Sequence, residues 1–186
     1  DQLYIFQHYL LSQAEHGPDS QVIFVSLSKS LINDVEKCIN DQIENLDRKD
    51  FINKSISNSK LIFFDNKEDA VEFINQYAPE HYIINVQDES FFINNIVSAG
   101  SVFIGNYTPE SAGDYASGTN HTLPTNGNAK QYSGVNLDSF LKTITFQKIS
   151  KEGLLNISKT VETMAEAEGL QAHKNAVSIR VKDLNN

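Results

Sequence analysis

A chain of 186 residues, 40% hydrophobic and 21% charged, has the composition of an ordinary globular protein, which excludes disordered and fibrous classes. Its net charge of -9, with 15 Lys and Arg scattered along the chain, excludes a binder of phosphate backbones, so no nucleic-acid partner is expected. No apolar run is long enough for a bilayer, no signal-like start is seen, and the one cysteine, Cys38, rules out an internal disulfide framework. The expectation is a soluble, unsecreted, cytoplasmic protein without a membrane partner.

Leu3, Phe6, Leu10 and Leu11 recur at helical spacing, and "HGPDS" breaks the pattern, so a helix ends near Glu15 or His16. "QVIFVS" reads as a buried strand, and Ile32, Val35, Ile39, Ile43 and Leu46 form the stripe of the next helix, with Cys38 as a core filler beside it. The cycle repeats: "LIFF" at 61 to 64 is strand, and Asn66 caps a helix carrying Val71, Ile74 and Tyr77. "YIIN" at 82 to 85 is strand, residues 89 to 97 are helix, and "SVFIG" at 101 to 105 is strand.

This alternation predicts an α/β fold: a parallel, Rossmann-like sheet with flanking helices over residues 1 to 135. Ligand sites in such sheets collect at the carboxyl ends of strands, where the polar loop from Asn106 to about Gly134 would leave "SVFIG". From 136 to 186 the pattern is that of a mainly helical C-terminal extension. It has a short helix through Leu141, a strand-like "TITFQKIS", and a long helix from Lys151 to Glu168 with Gly169 as its C-cap. A further helical segment follows, "QAHKNAVSI".

The loop "GDYASGTNHTLPTNG" has no hydrophobic periodicity and reads as neither helix nor strand. Either it is a solvated connection, or its Asp114 and His121 are aimed at something. Gln13 and His16 lie three apart on one helix face, as a metal-binding pair or as two residues of a solvated helix end. "APEH" sets Glu80 beside His81 at a helix-to-strand junction, a carboxylate and imidazole suited to general-base work or an exposed turn. Glu168 closes the apolar stripe of Leu154, Ile157, Val161, Met164 and Ala165 and either meets a basic partner or runs out into water; His173 lies just beyond. His8, inside the first helix, reads as a surface or packing residue. Gln13, His16, Asp114 and His173 would form an N/O ligand set suited to Zn²⁺ with open positions, though no short-range zinc signature joins them.

The strings "SQAEHGPDSQV", "YAPEH", "AGSVFIGNYTPESAGDYASGTNHTLPTNGNA", "YSGVNLDSFLK" and "VETMAEAEGLQAHKNAV" resemble, in order, the signature segments of the histidinol dehydrogenase family. The resemblance runs from about Leu11 and answers to the C-terminal portion of the family's chain. It implies oxidation of L-histidinol to L-histidine through an aldehyde in two NAD⁺-dependent steps with zinc in the site. It implies Gln13, His16, Asp114 and His173 as zinc ligands that also meet substrate, Glu80 and His81 as proton-transfer residues in contact with substrate, and His121 and Glu168 as substrate-binding residues. It further implies a homodimer in which Glu168 and His173 act in the partner's site. No GxGxxG fingerprint is present, so the NAD site is expected mostly outside this chain. An α/β portion without its complement is expected to depend on another chain or segment.

Overall fold

The computed structural model describes residues 10 to 184 and divides the chain into two compact units, 1 to 141 and 142 to 186. The expectations for Leu3, Phe6 and His8 lie outside the described residues. The first unit alternates strands and helices: β1 (Ile23–Ser26), α1 (Lys29–Ile43), α2 (Lys49–Asn58), β2 (Lys60–Phe63), α3 (Lys67–Tyr77), β3 (His81–Ile84), α4 (Glu89–Asn94), β4 (Ser101–Ile104) and α5 (Glu110–Tyr115). The second holds α6 (Lys151–Ala167) and α7 (Gln171–Leu184). The α/β class is as expected, and both strand pairings are parallel. Among the described residues the strands form two pairs, β1 with β2 and β3 with β4.

Local chemistry explains each helix. The Ser28 side chain accepts the Leu31 N–H at the start of α1, and Val35, Ile39 and Ile43 recur every four residues on its buried face. They pack with Leu10, Leu11, Ala14, Phe24 and Ile52 into one core. Leu46, expected on the same helix, lies past its end but still packs on that core. Cys38 is only half-buried and is not among the buried core residues, so the core-filler reading is corrected: it sits at the flank of the stripe. Asn66 caps α3 as expected, accepting the Asp69 N–H at 2.8 Å, with Glu68 and Asp69 in the positive first turn. Ala70, Val71, Tyr82, Ile84 and Phe92 make a second core.

Four expectations change. The helix at 89 to 97 stops at Asn94, and the segment before Leu141 is a 3-10 turn, Leu137–Phe140. "TITFQKIS" forms no strand: a β-branched run needs a neighbouring strand to pair with, and the second unit is otherwise helical among the described residues. Phe146 there is 92% exposed. The polar loop is not wholly irregular either, because Gly113 to Tyr115 close the short helix α5.

In the second unit Gly169 takes the left-handed conformation (φ +73°) one residue past the C-cap Glu168, and the Leu170 N–H bonds back to Ala165. Lys174 pairs with Glu166 at 2.8 Å, and Ser178 donates to Glu162. Among the described residues no helix is long and apolar enough to cross a membrane.

Candidate functional site

Three segments of the first unit converge on one cleft of about 360 Å³ lined by Gln13, His16, Glu80, His81, Asp114 and His121. Helical residues 10 to 14 bury Leu10, Leu11 and Ala14 in the first core, which leaves Gln13 half-buried and His16 exposed at the end of that turn. The His16 N–H bonds to the Gln13 carbonyl at 3.4 Å, so the pair shares the turn that closes the helix.

Glu80 and His81 are held by backbone. Helix α3 stops because Ala78 turns left-handed (φ 54°, ψ 68°), its N–H still bonded to Ile74. Gly100 then donates to Pro79 and Ser101 to Glu80, each at 2.9 Å, and His81 enters β3 opposite Ser101. Alternation along β3 buries Tyr82 and Ile84 in the second core and leaves His81 for the cleft. The His81 ring stacks on Phe103 with centroids 5.8 Å apart. Its Nε2 lies 3.9 Å from Asp114 Oδ1, too far for a hydrogen bond but close enough for an ion pair were the imidazole protonated. Both side chains are largely enclosed, at 11% and 15% exposed.

Asp114 arrives on α5. Glu110, at the start of that helix, is buried and accepts the Ser12 O–H at 2.5 Å, tying α5 to the segment that carries Gln13. Gly113 is buried with no room for a side chain: a Cβ there would fall 2.6 Å from Phe103 Cε1 and 2.8 Å from Thr119 Oγ1. Thr119 donates to the Gly113 carbonyl, Asn120 Oδ1 accepts the Thr122 N–H, and Val135 donates to the Thr122 carbonyl, which fixes the loop bearing the exposed His121.

The cleft's place in the fold corrects one expectation. His81 is the first residue of β3, and Ser20 and Gln21, also in the lining, precede β1, so the site sits at the amino ends of these strands and not the carboxyl ends. The polar loop leaves β4 at its carboxyl end, and α5 returns Asp114 to the other end. Ser20, Gln21 and Tyr115 line the cleft without having been singled out from sequence; Gln21 is held by the Tyr77 hydroxyl at 2.9 Å. Burial pushes the Tyr77 phenol up from its ordinary value. Glu168 and His173 lie on the second unit, both exposed, so the apolar stripe ends in water at Glu168 within that unit.

An amide, an imidazole and a carboxylate facing one cleft are donors a divalent ion accepts, and the buried Gln13 Nε2 has no hydrogen-bond partner among the described residues. The set therefore fits such an ion, with fewer protein ligands than a closed structural site would use. Among the described residues no three His, Cys, Asp or Glu side chains form a metal cluster by themselves.

Comparison with known proteins gives a consistent picture. The family model described as histidinol dehydrogenase matches residues 5 to 181. The chloroplastic histidinol dehydrogenase of Arabidopsis thaliana is 55% identical over 176 residues, 94% of this chain and 38% of the relative. The histidinol dehydrogenase of Bacteroides fragilis is 54% identical over 175 residues, 94% of this chain and 41% of the relative. The crystal structure of histidinol dehydrogenase from Elizabethkingia anophelis superposes with a TM-score of 0.93 at 50% identity, covering 99% of this chain and 42% of that one. The chain thus spans about two fifths of the length of these relatives.

Proposed function

The chain belongs to the histidinol dehydrogenase family, and from that premise we propose that it supplies the zinc and substrate half of an enzyme that oxidises L-histidinol to L-histidine, the last steps of histidine biosynthesis. The observation that carries the reading is the single cleft lined by Gln13, His16, Glu80, His81, Asp114 and His121. Gln13, His16 and Asp114 would hold a zinc ion, with His173 supplied by a second copy. Zinc bound there acts as a Lewis acid that fixes and polarises the amino alcohol. NAD⁺ would accept the hydride in each oxidation, and its site is expected mostly outside this chain, whose sequence contains no GxGxxG fingerprint.

The chain's own residues handle protons and placement. His81 takes the substrate hydroxyl proton in each oxidation; its enclosure against Phe103 holds the ring to one orientation. Glu80, next along the backbone, removes a proton from the water that adds to the aldehyde, giving the hydrate that is oxidised second. His121 and a second copy's Glu168 orient the substrate. The homodimer in this reading draws support from exposed apolar side chains that water covers poorly, Leu137 and Phe140 in the first unit and Ile144 and Phe146 in the second. An unpaired Cys38 suits a reducing, cytoplasm-like compartment.

A second reading is a noncatalytic module that binds zinc and an imidazole ligand, a role that the same cleft of amide, imidazole and carboxylate groups would also serve. One experiment separates the two: NADH formation from L-histidinol, NAD⁺ and zinc, with a chelator control, by this chain and by a longer chain that contains it. Chelator-sensitive NADH from either chain supports the enzyme; zinc-dependent histidinol binding with no NADH from either supports the module.

A further inference from the structure

Two buried polar atoms of complementary kind lie on the two segments that bring Gln13 and Asp114 to the cleft. Gln13 Nε2 is a donor and Glu110 Oε2 an acceptor, and neither has a hydrogen-bond partner among the described residues. The segments are already fastened to each other, because the Ser12 hydroxyl donates to Glu110 Oε1 at 2.5 Å. Glu110 is only 3% exposed, and it stands four residues before Asp114, on the same face of α5. A carboxylate so enclosed is expensive to keep with one hydroxyl as its partner. None of the proton transfers or ligand contacts above uses it.

We propose that Glu110 is a positioning residue for Gln13: Oε2, which makes no hydrogen bond to Nε2 as the side chains stand here, takes an Nε2–H of the Gln13 amide when the amide oxygen turns toward the ion. The inference rests on the metal-holding reading of the cleft. A glutamine amide has a carbonyl oxygen and an NH₂ of nearly equal shape, and only the oxygen offers lone pairs to a cation. A carboxylate on the nitrogen decides between the two orientations and draws the amide dipole toward its oxygen, as outer-shell partners do for other metal ligands. The same side chain, held by Ser12, fixes the spacing between the turn that carries Gln13 and the helix that carries Asp114.

The test is zinc titration against a chelating competitor, for the wild-type protein, E110A, E110Q, Q13A and the E110A/Q13A double variant. The expected result is a loss of zinc affinity of roughly 10- to 100-fold in E110A, the usual cost of removing an outer-shell partner. E110Q, which keeps a carbonyl oxygen as acceptor, should lose less. In the Q13A background E110A should cause no further loss, since the residue it positions is gone. An equal loss in both backgrounds would make Glu110 a structural residue only and overturn the proposal, as would an unchanged isotherm for E110A. If E110A does not fold, E110Q against E110Q/Q13A carries the same comparison. H16A and D114A keep the two failures apart: zinc binding unchanged in both would sink the metal-holding reading and this inference with it, whereas loss in both beside a normal E110A would sink the inference alone.

Discussion

A Cβ built on Gly100 falls 2.5 Å from the carbonyl oxygen of Glu80 and 3.3 Å from its Cα. The obstacle is backbone, which cannot swing aside as a flexible side-chain end can. That carbonyl also accepts the Ser101 N–H that starts the β3 and β4 ladder. Gly100→Ala should therefore push the Glu80 and His81 segment out of place. Overpacking of this kind costs about 1–3 kcal/mol of stability, and a displacement of about 1 Å at a reacting group costs on the order of 100-fold in rate. Thermal melting and kcat of the full-length variant read both effects, and wild-type kcat would show that the Glu80 backbone does not set the geometry.

Gly113→Ala should have the opposite sign from the same change in most helices. Alanine normally stabilises a helical position over glycine by about 0.5–1 kcal/mol. Here the added carbon meets Phe103 at 2.6 Å, and Phe103 is the ring that His81 stacks on. The variant should melt lower and turn over more slowly. Adding Phe103→Leu should recover part of the melting temperature without recovering the rate, because the space returns but the stacked support of His81 does not. Recovery of both would mean that Phe103 only fills volume.

How far the sequence discloses the fold depends on whether a segment's local pattern agrees with its surroundings. Strands β1 to β4 are short β-branched and aromatic runs between polar breaks, and Asn66 announces the helix it caps, so all of these can be read directly. Helix α2 is absent from that reading. Its sequence, "KDFINKSISN", is rich in Ser and Asn, it lacks a side-chain cap, and it buries only Ile52 and Ser55, so tertiary packing rather than propensity makes it helical. "TITFQKIS" fails in the other direction, with strand propensity and no strand beside it.

Residue type alone left each candidate site residue open between a solvated and a functional role, and the resemblance to the family's segments is what joined them into one set. Gln13, His16, Glu80, His81, Asp114 and His121 are polar groups at element ends, and the structure brings these six to one cleft. Which end of the sheet they occupy was not legible, since that depends on α5 doubling back from β4, and nothing in "NYTPESAGDY" encodes the direction. Glu110 left only a faint sign: an acid one helical turn before Asp114 among small residues, which looks like a solvated helix start until its burial is known.

Tyr82 offers a stability test independent of the chemistry. It follows His81 in β3, its hydroxyl is buried without a partner among the described residues, and burial pushes its phenol up to about 12 from the ordinary 10.0. The unfolded chain gives up this proton near pH 10 and the folded chain only near pH 12. The folded state thus holds more protons in that window, and its stability, full below pH 10, falls as pH rises through 12. Tyr82→Phe removes the titrating group and an unsatisfied hydroxyl together. Its denaturant midpoint should be equal to or above wild type at pH 8 and should decline less between pH 10 and 12. Parallel declines in the two proteins would show that Tyr82 does not carry the alkaline loss.

In the proposed scheme, substitutions at the adjacent Glu80 and His81 should separate the two oxidations. With His81 as base in both, His81→Asn should slow NADH formation from L-histidinol and from histidinaldehyde alike, by roughly 10²- to 10⁴-fold. With Glu80 acting on the water that adds to the aldehyde, Glu80→Gln should slow the second oxidation by a similar factor and spare most of the first. Single-turnover measurements started from each substrate in the full-length enzyme make the comparison. His81 stands 3.9 Å from Asp114 and against Phe103, and neither contact changes in Glu80→Gln, so the first oxidation keeps its base in place. Equal slowing of both oxidations by Glu80→Gln would mean that Glu80 supports His81 and does not act on water. Slowing of only the first by His81→Asn would reassign the second proton to another group in the cleft.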